Sequence, residues 1–149
     1  MALFICCDHA GFKIKNELFK ALKSQNIPSN LIDLSPDFEQ GDDYPRVGFC
    51  LARVVTENDI GIALCGTGEG ICMALNRFSH IRAATVNTVK MATVVRKHNH
   101  ANVICLAARS LNLEKALKLI NTFLNTKPDQ DARHVRRVAE LGTMGESVS

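Results

Sequence analysis

Five short apolar runs recur along this chain, and each is followed by a segment with helical periodicity. Consecutive runs lie about 25 to 30 residues apart, which is the spacing of β-strand, α-helix and β-strand units. Strands separated by helices pair in parallel, because parallel neighbours need a long crossover connection. The pattern therefore predicts an α/β protein with a parallel sheet, and its five strands are Leu3–Cys7, Leu31–Leu34, Ile60–Leu64, Arg82–Val86 and Val103–Leu106.

Helical stretches follow all five strands, and a sixth, strongly basic helix closes the chain. Pro45 suits the first turn of the second helix, where a missing N–H costs nothing. No repeat or interdomain linker interrupts the 149 residues, so we expect one domain over residues 1–149. The predicted helices are Phe12–Asn26, Tyr44–Val55, Ile71–Arg77, Thr88–Lys97, Leu113–Leu124 and Ala132–Leu141.

Composition excludes several classes of function. A net charge of +3, with eight aromatic residues and no Trp, gives no basic stacking platform for nucleic acid. The apolar start Met1–Cys7 has no basic leader, and no segment is apolar for long enough to span a membrane, so we expect a cytoplasmic protein. Its six cysteines include no C-x-x-C pair, which predicts reduced thiols with neither disulfides nor a metal site.

The segment Cys65-Gly66-Thr67-Gly68-Glu69-Gly70 carries the strongest chemical signal. It places a thiol at the end of a buried strand and follows it with alternating glycines, whose exposed amides suit an anion or oxyanion. The same glycines could serve only to make a tight turn. The loop lacks the glycine spacing of a dinucleotide site, and it lacks the Gly-Lys-Ser/Thr ending of a Walker phosphate loop.

Other polar residues occur where ligands usually bind in open parallel sheets, beyond the carboxyl ends of strands. Asp8 and His9 follow the first strand, and Arg109 follows the fifth. Arg133 and Arg137 share one helix face and could bind a phosphate, although this helix taken alone is more simply explained as a solvated basic helix.

Taken together, these residues resemble the ribose-5-phosphate isomerase type B family, which includes the subunits of galactose-6-phosphate isomerase. The resemblance covers residues 3–140 in order and spacing. It implies a Rossmann-like, doubly wound fold, a sugar-phosphate substrate, and no metal or organic cofactor. The matching segments are Cys7–Phe12, Asp43–Pro45, Cys65–Ile71, Ala74–Arg77, His98-Asn99 with Asn102-Val103, and Arg133-His134 with Arg137-Val138.

The resemblance also implies roles for individual residues. Cys65 would shuttle a proton between C2 and C1 of the open sugar, with help from Thr67, and His98 would open the furanose ring. Asp8 would support the sugar hydroxyls. The loop amides of residues 66–70 would hold the enediolate oxygens. The phosphate set would be His9, Arg109, Arg133 and Arg137, and further substrate-binding residues would be Tyr44, Gly66, Gly68, Glu69, Gly70 and Asn99.

One branch of the family replaces the cysteine with Gly and uses a glutamate just after the last loop glycine. Here that position is Ile71, and Glu69 is interpreted as lying inside the loop, so the chain is similar to the cysteine-dependent branch. Family pockets are shared between two subunits, which implies a homodimer or tetramer with shared active sites.

The sequence therefore predicts an aldose–ketose isomerase that interconverts ribose 5-phosphate and ribulose 5-phosphate. The alternatives are a galactose-6-phosphate isomerase subunit and a noncatalytic nucleotide-binding module. Ser35 stands close to where the nucleotide module would place a ribose-binding acid, after the second strand.

Overall fold

The computed structural model describes residues 1–25 and 30–143. Its centre is a parallel five-stranded sheet, with strands in the order β2-β1-β3-β5-β4. The strands are β1 (Leu3–Cys7), β2 (Leu31–Asp33), β3 (Ile60–Cys65), β4 (Ala83–Thr85) and β5 (Val103–Ala107). The helices are α1 (Phe12–Ser24), α2 (Tyr44–Val54), α3 (Glu69–Leu75), α4 (Val89–Asn99), α5 (Leu113–Asn125) and α6 (Ala132–Gly142).

Two apolar layers bury the sheet, one on each face. Alternate side chains of each strand point to opposite faces, so Ile62 and Leu64 pack with α1, α4 and α5, whereas Ala63 and Cys65 pack with α2 and α3. This double coverage explains why β1 and β3 read as continuous apolar runs in the sequence. The predicted α/β, doubly wound, parallel five-stranded fold is confirmed.

The order of the strands fixes where a ligand can bind. The chain leaves β1 towards β2 on one side and leaves β3 towards β4 on the other, so the connections diverge between β1 and β3. A crevice opens at such a switch point, beyond the carboxyl ends of the two strands. Residues that follow β1 and β3 line it, together with residues that follow the neighbouring β5.

Helix α3 differs most from its predicted range of Ile71–Arg77. It begins two residues earlier because Gly68, with a φ of 80°, turns the chain directly into the helix. It ends at Leu75, and the Asn76 side chain binds across to Ala83, donating to its carbonyl oxygen and accepting from its N–H, both over 2.9 Å. Tertiary hydrogen bonds thus end this helix.

Other boundaries differ by one or two residues. Strand β4 omits the predicted Arg82, whose N–H donates instead to Oδ1 of Asn102 over 2.7 Å. Helix α4 continues to Asn99, and the predicted end of α1 at Asn26 lies outside the described residues. All six cysteines are free thiols. Within residues 1–25 and 30–143, no helix combines the length and apolar character that crossing a bilayer requires.

Candidate active site

Cys65 lies at the carboxyl end of β3, beside the switch point of the sheet. Its side chain is 3% exposed, and its Sγ atom accepts a hydrogen bond from the Gly68 N–H over 3.1 Å. The loop therefore curls back over the thiol and aims a backbone amide at it. This arrangement stabilises negative charge on the sulfur and gives the site a candidate base.

The three loop glycines leave room for three different neighbours. Gly68 has a left-handed φ of 80°, and a Cβ there would lie 3.0 Å from the carbonyl carbon of Leu106. A Cβ at Gly66 would lie 2.9 Å from Cζ of Arg109, and one at Gly70 would lie 2.8 Å from Cζ of Tyr44. The loop is consequently walled by a guanidinium on one side and a phenol ring on the other.

Asp8 and His9 follow β1 and reach the same edge of the sheet. The Asp8 carboxylate is buried and accepts from the N–H groups of Ala10 and Gly11 over 3.0 and 3.3 Å through Oδ1. Burial raises the pKa of Asp8 despite these hydrogen bonds. Only Oδ1 makes these bonds, so Oδ2 is the oxygen available to a sugar hydroxyl.

His9 presents an imidazole to the same crevice. Its Nδ1 lies 3.2 Å from the carbonyl oxygen and 3.1 Å from Oδ1 of Asp42, and these contacts raise the pKa of His9. The ring is 43% exposed, with Nε2 turned away from Asp42. In its protonated form, a partly exposed imidazole of this kind suits a phosphate.

Arg109, Thr67 and Glu69 complete this side of the site. The Arg109 N–H donates to the carbonyl oxygen of Gly66 over 3.1 Å, which ties the turn after β5 to the loop after β3. Thr67 Oγ1 accepts weakly from the Glu69 N–H over 3.4 Å. The placement of Glu69 inside the loop was wrong, because it is the first residue of α3, and its carboxylate accepts from Thr85 over 3.3 Å.

We call these residues the carboxyl-edge cluster. The structure brings ten of the predicted site residues together there, through the turns that follow β1, β3 and β5 and the start of α2. They are Asp8, His9, Tyr44, Cys65, Gly66, Thr67, Gly68, Glu69, Gly70 and Arg109.

The other predicted residues lie elsewhere. His98 and Asn99 end α4, which runs antiparallel to the strands and so finishes at the amino edge of the sheet. Asn99 and Arg137 line one groove between α4 and α6. Arg133 is exposed, with Nε 3.2 Å from Asp131. We call His98, Asn99, Arg133, Arg137 and their neighbours Asp129 and His134 the amino-edge cluster.

The two clusters are too far apart to form one pocket within a chain. Helix α4 has 11 residues, so it carries His98 about 16 Å from the carboxyl edge at a rise of 1.5 Å per residue. Strand β5 spans about the same distance along its five residues. Only residues 100–102 join α4 to β5, so the chain does not bend back towards the carboxyl edge after α4.

His98, Asp129 and His134 form a group whose ligand atoms all lie within 4.8 Å of one another. The two imidazoles are stacked, with centroids 4.4 Å apart and ring planes inclined by 28°. A metal ion binds in the plane of an imidazole, about 2 Å from its nitrogen. Nearly parallel stacked rings cannot share such a point unless one ring rotates. The absence of a metal from the mechanism stays a prediction.

Two acids that sequence reasoning missed support the predicted histidines. Asp42 holds His9, and Asp129 accepts from Nδ1 of His134 over 2.9 Å. Asp42 lies in a polar loop without periodicity, so its pairing carried no signal. Asp129 stands five residues before His134, and a carboxylate close to a histidine near a helix start is the signal that could have identified it.

Cys72, on α3, is a second unusual thiol. Hydrogen bonding with the Cys105 side chain lowers the pKa of Cys72 to about 7, against the opposing effect of burial. Burial raises the pKa of Cys105 well above its ordinary value. The neighbouring Cys105 side chain thus favours the ionised form of the Cys72 thiol, which no sequence motif had singled out.

Comparison with known protein families gives an independent assignment. The sequence model of the Ribose/Galactose Isomerase family matches residues 3–141. The chain is 37% identical over 143 residues to a probable ribose-5-phosphate isomerase B of Mycoplasma genitalium, a match that covers 93% of this chain and 92% of the relative. It is 34% identical over 137 residues to ribose-5-phosphate isomerase B of Escherichia coli, covering 91% and 90%.

Solved structures agree with the sequence matches. The fold is similar to the crystal structure of ribose-5-phosphate isomerase B from Mycoplasma genitalium with bound ribulose-5-phosphate, with a TM-score of 0.89 and 35% identity. That match covers 99% of this chain and 97% of the other. The likeness is therefore one of complete folds, including the strands and turns that carry the carboxyl-edge cluster.

Proposed function

The chain belongs to the ribose/galactose isomerase family, and we propose that it interconverts ribose 5-phosphate and ribulose 5-phosphate with Cys65 as the base. It is an aldose–ketose isomerase. The observation that carries the assignment of the base is the thiol at the end of β3, with the Gly68 N–H aimed at its sulfur. Neither the named relatives nor the bound sugar of the solved relative favours the galactose-6-phosphate or nucleotide-binding alternative.

The reaction moves one proton between neighbouring carbons. The Cys65 thiolate removes the proton from C2 of the open aldose, which leaves an enediolate, and the thiol returns that proton to C1. Thr67 assists the matching transfer between the O1 and O2 oxygens. The N–H groups of residues 66–70 stabilise the charge on those oxygens, which is where preorganised donors accelerate such a reaction. No step requires a metal or an organic cofactor.

Binding of the phosphate and opening of the ring require the second cluster. His9 and Arg109 supply positive charge from one chain, and Arg133 and Arg137 supply it from another. His98 gives a proton to the ring oxygen as the C1–O4 bond breaks, and the O1 hydroxyl releases its proton to solvent, which leaves the open aldehyde. Asp8 supports the sugar hydroxyls, while Tyr44, Glu69 and Asn99 line the pocket.

A homodimer reconciles these roles with the separation of the clusters. If two chains pack so that the carboxyl edge of one meets the amino edge of the other, each pocket receives both sets of residues. Exposed apolar side chains favour a protein partner, because Met73 is 70% exposed, Leu141 56% and Met91 41%. The free thiols suit the reducing cytoplasm, where we place the enzyme.

A substrate comparison tests the function. The purified protein alone should isomerise ribose 5-phosphate, and it should turn over six-carbon aldose 6-phosphates at least tenfold less efficiently in kcat/KM. A preference for galactose 6-phosphate would support the six-carbon alternative. Loss of all isomerase activity in a folded dimer would overturn the assignment.

A further inference from the structure

Asp129 joins the two histidines of the amino-edge cluster. Its carboxylate accepts from Nδ1 of His134, with Oδ1 at 2.9 Å and Oδ2 at 3.0 Å. Its Oδ2 also lies 3.9 Å from Nε2 of His98. One carboxylate thus contacts the first imidazole through a hydrogen bond and the second through its charge.

The backbone of Asp129 is fixed to the end of α4, where His98 lies. Its N–H donates to the carbonyl oxygen of Lys97 over 3.0 Å, and its own carbonyl oxygen lies 2.9 Å from Nε2 of His100. These contacts anchor Asp129 to the residues on either side of His98 and Asn99. The carboxylate therefore keeps a constant position relative to the His98 ring.

His134 transmits this constraint. It is 7% exposed, and the Asp129 carboxylate holds the proton on Nδ1, which fixes both the tautomer and the ring orientation. The His98 ring stacks on it at 4.4 Å. The side chain of His98 is itself 39% exposed, so a buried imidazole supports an accessible one.

We propose that Asp129 is a positioning residue for ring opening, holding the His134–His98 stack so that the His98 imidazole meets the furanose oxygen in one orientation. The inference rests on the proposed function, because it takes His98 as the proton donor. Asp129 touches no substrate in this scheme. The hydrogen bond from His134 lowers the pKa of Asp129, which keeps the carboxylate ionised at neutral pH.

The chemistry of the two sugars separates this role from a merely structural one. Ribose 5-phosphate exists mainly as a furanose and must be opened. Ribulose 5-phosphate cannot close to a furanose, because its 5-oxygen carries the phosphate. Removal and return of a C1 proton of ribulose 5-phosphate, seen as its exchange with solvent, therefore needs the base but no proton donor at a ring oxygen.

The test measures two quantities for full-length Asp129→Asn and Asp129→Ala proteins: kcat/KM for isomerisation of ribose 5-phosphate, and the rate at which ribulose 5-phosphate exchanges its C1 proton with D2O. For isomerisation, Asp129→Ala should lose about 10 to 100-fold, the scale of a misplaced catalytic group. The C1 exchange should stay within about twofold of wild type. Asp129→Asn should lose less, because its amide oxygen still accepts from His134 Nδ1.

Two further variants make the result decisive. His98→Ala should likewise lose isomerisation and keep C1 exchange, and Glu114→Gln, an exposed acid in the first turn of α5, should show no loss in either. If His98→Ala behaves in this way but the Asp129 variants lose isomerisation and exchange equally, the positioning role is overturned and the proposed function stays intact. Equal losses of isomerisation and exchange in His98→Ala would instead refute His98 as the ring opener. If Asp129→Ala fails to fold, Asp129→Asn decides.

Discussion

The Gly68 N–H lies 3.1 Å from the Cys65 Sγ atom and donates a hydrogen bond to it. The bond closes the loop after β3 around its own nucleophilic atom, before any substrate binds. The amide that contacts the sulfur belongs to the set that would receive the enediolate. In the proposed mechanism, one six-residue segment thus supplies both proton transfer and oxyanion stabilisation.

Replacing the sulfur tests this arrangement most directly. Cys65→Ala should fold normally and lower kcat by about 100-fold or more, the scale expected for a positioned base. Cys50→Ser, which changes an exposed thiol on α2, should retain wild-type kcat. Steady-state kinetics with circular dichroism as a folding check measure both. A folded Cys65→Ala protein with near-normal turnover would exclude the thiol mechanism.

Cys72 should titrate close to neutrality. Its pKa of about 7 predicts that alkylation by iodoacetamide at this position is half-maximal near pH 7 and faster above it. Cys105→Ala removes the side chain chiefly responsible for the lowered pKa, so the midpoint should move towards an ordinary thiol value of about 8.5. Peptide mass spectrometry over a pH series reports the midpoint, and an unchanged midpoint in Cys105→Ala would refute the pairing.

Gly68 and Gly41 allow a comparison of how much an added Cβ lowers the free energy of unfolding with and without close neighbours. Both have a positive φ, 80° and 78°, but only Gly68 faces neighbouring backbone at 3.0 Å, whereas nothing lies within 4 Å of a Cβ at Gly41. Gly41→Ala should lower the free energy of unfolding by about 1 kcal/mol through conformational strain. Gly68→Ala should lower it by about 2 to 4 kcal/mol, since crowding adds to the strain.

Urea unfolding at one fixed protein concentration measures the difference between the two variants. If the two variants lose the same free energy of unfolding, the loop after β3 can move away from Leu106. Close packing would then not fix the shape of that loop.

The pairing of His9 with Asp42 predicts a pH dependence of phosphate binding. Contacts with Asp42 raise the pKa of His9, so the imidazolium persists to higher pH and is lost as pH rises through the raised value. Asp42→Asn should lower that pKa and bring the loss to lower pH. The KM for ribose 5-phosphate should then exceed wild type above neutrality and approach it near pH 5.5.

Asp37→Asn is the control, because Asp37 is an exposed acid in the same loop, five residues before Asp42. A KM difference for Asp42→Asn that does not change with pH would show that His9 does not bind phosphate as a cation.

How far the sequence predicts this site depends on which contacts are local. Cys65 and Asp8 were found because parallel strands must end at one edge, so a residue following a strand is placed by topology alone. Asp42 and Asp129 were not found, because their partners are set by loop paths that no periodicity encodes. Asn76 ends α3 through bonds to Ala83, which lies on another element. The proposed pairing of His98 with Cys65 would require a second chain, which no local pattern describes.

The separation of the two clusters predicts that inactive variants rescue each other. Cys65→Ala damages the carboxyl-edge cluster, and Arg137→Ala damages the amino-edge cluster of the same chain. In a hybrid dimer, one pocket receives Cys65 from one subunit and Arg137 from the other, whereas the second pocket lacks both. Mixing the two proteins should therefore restore up to about half of the wild-type activity per hybrid dimer.

The control is a mixture of Cys65→Ala with Thr67→Ala, two changes in the same cluster, which leaves every pocket of the hybrid with one defect and should restore nothing. Native mass spectrometry must show hybrid dimers in both mixtures, because rescue depends on subunit exchange. Hybrids of Cys65→Ala and Arg137→Ala that regain no activity would mean that thiol and arginine serve the same pocket from one chain. That result would contradict the distance of about 16 Å along α4, so the arrangement of α4 and α6 in the assembled enzyme would have to differ from that in the single chain.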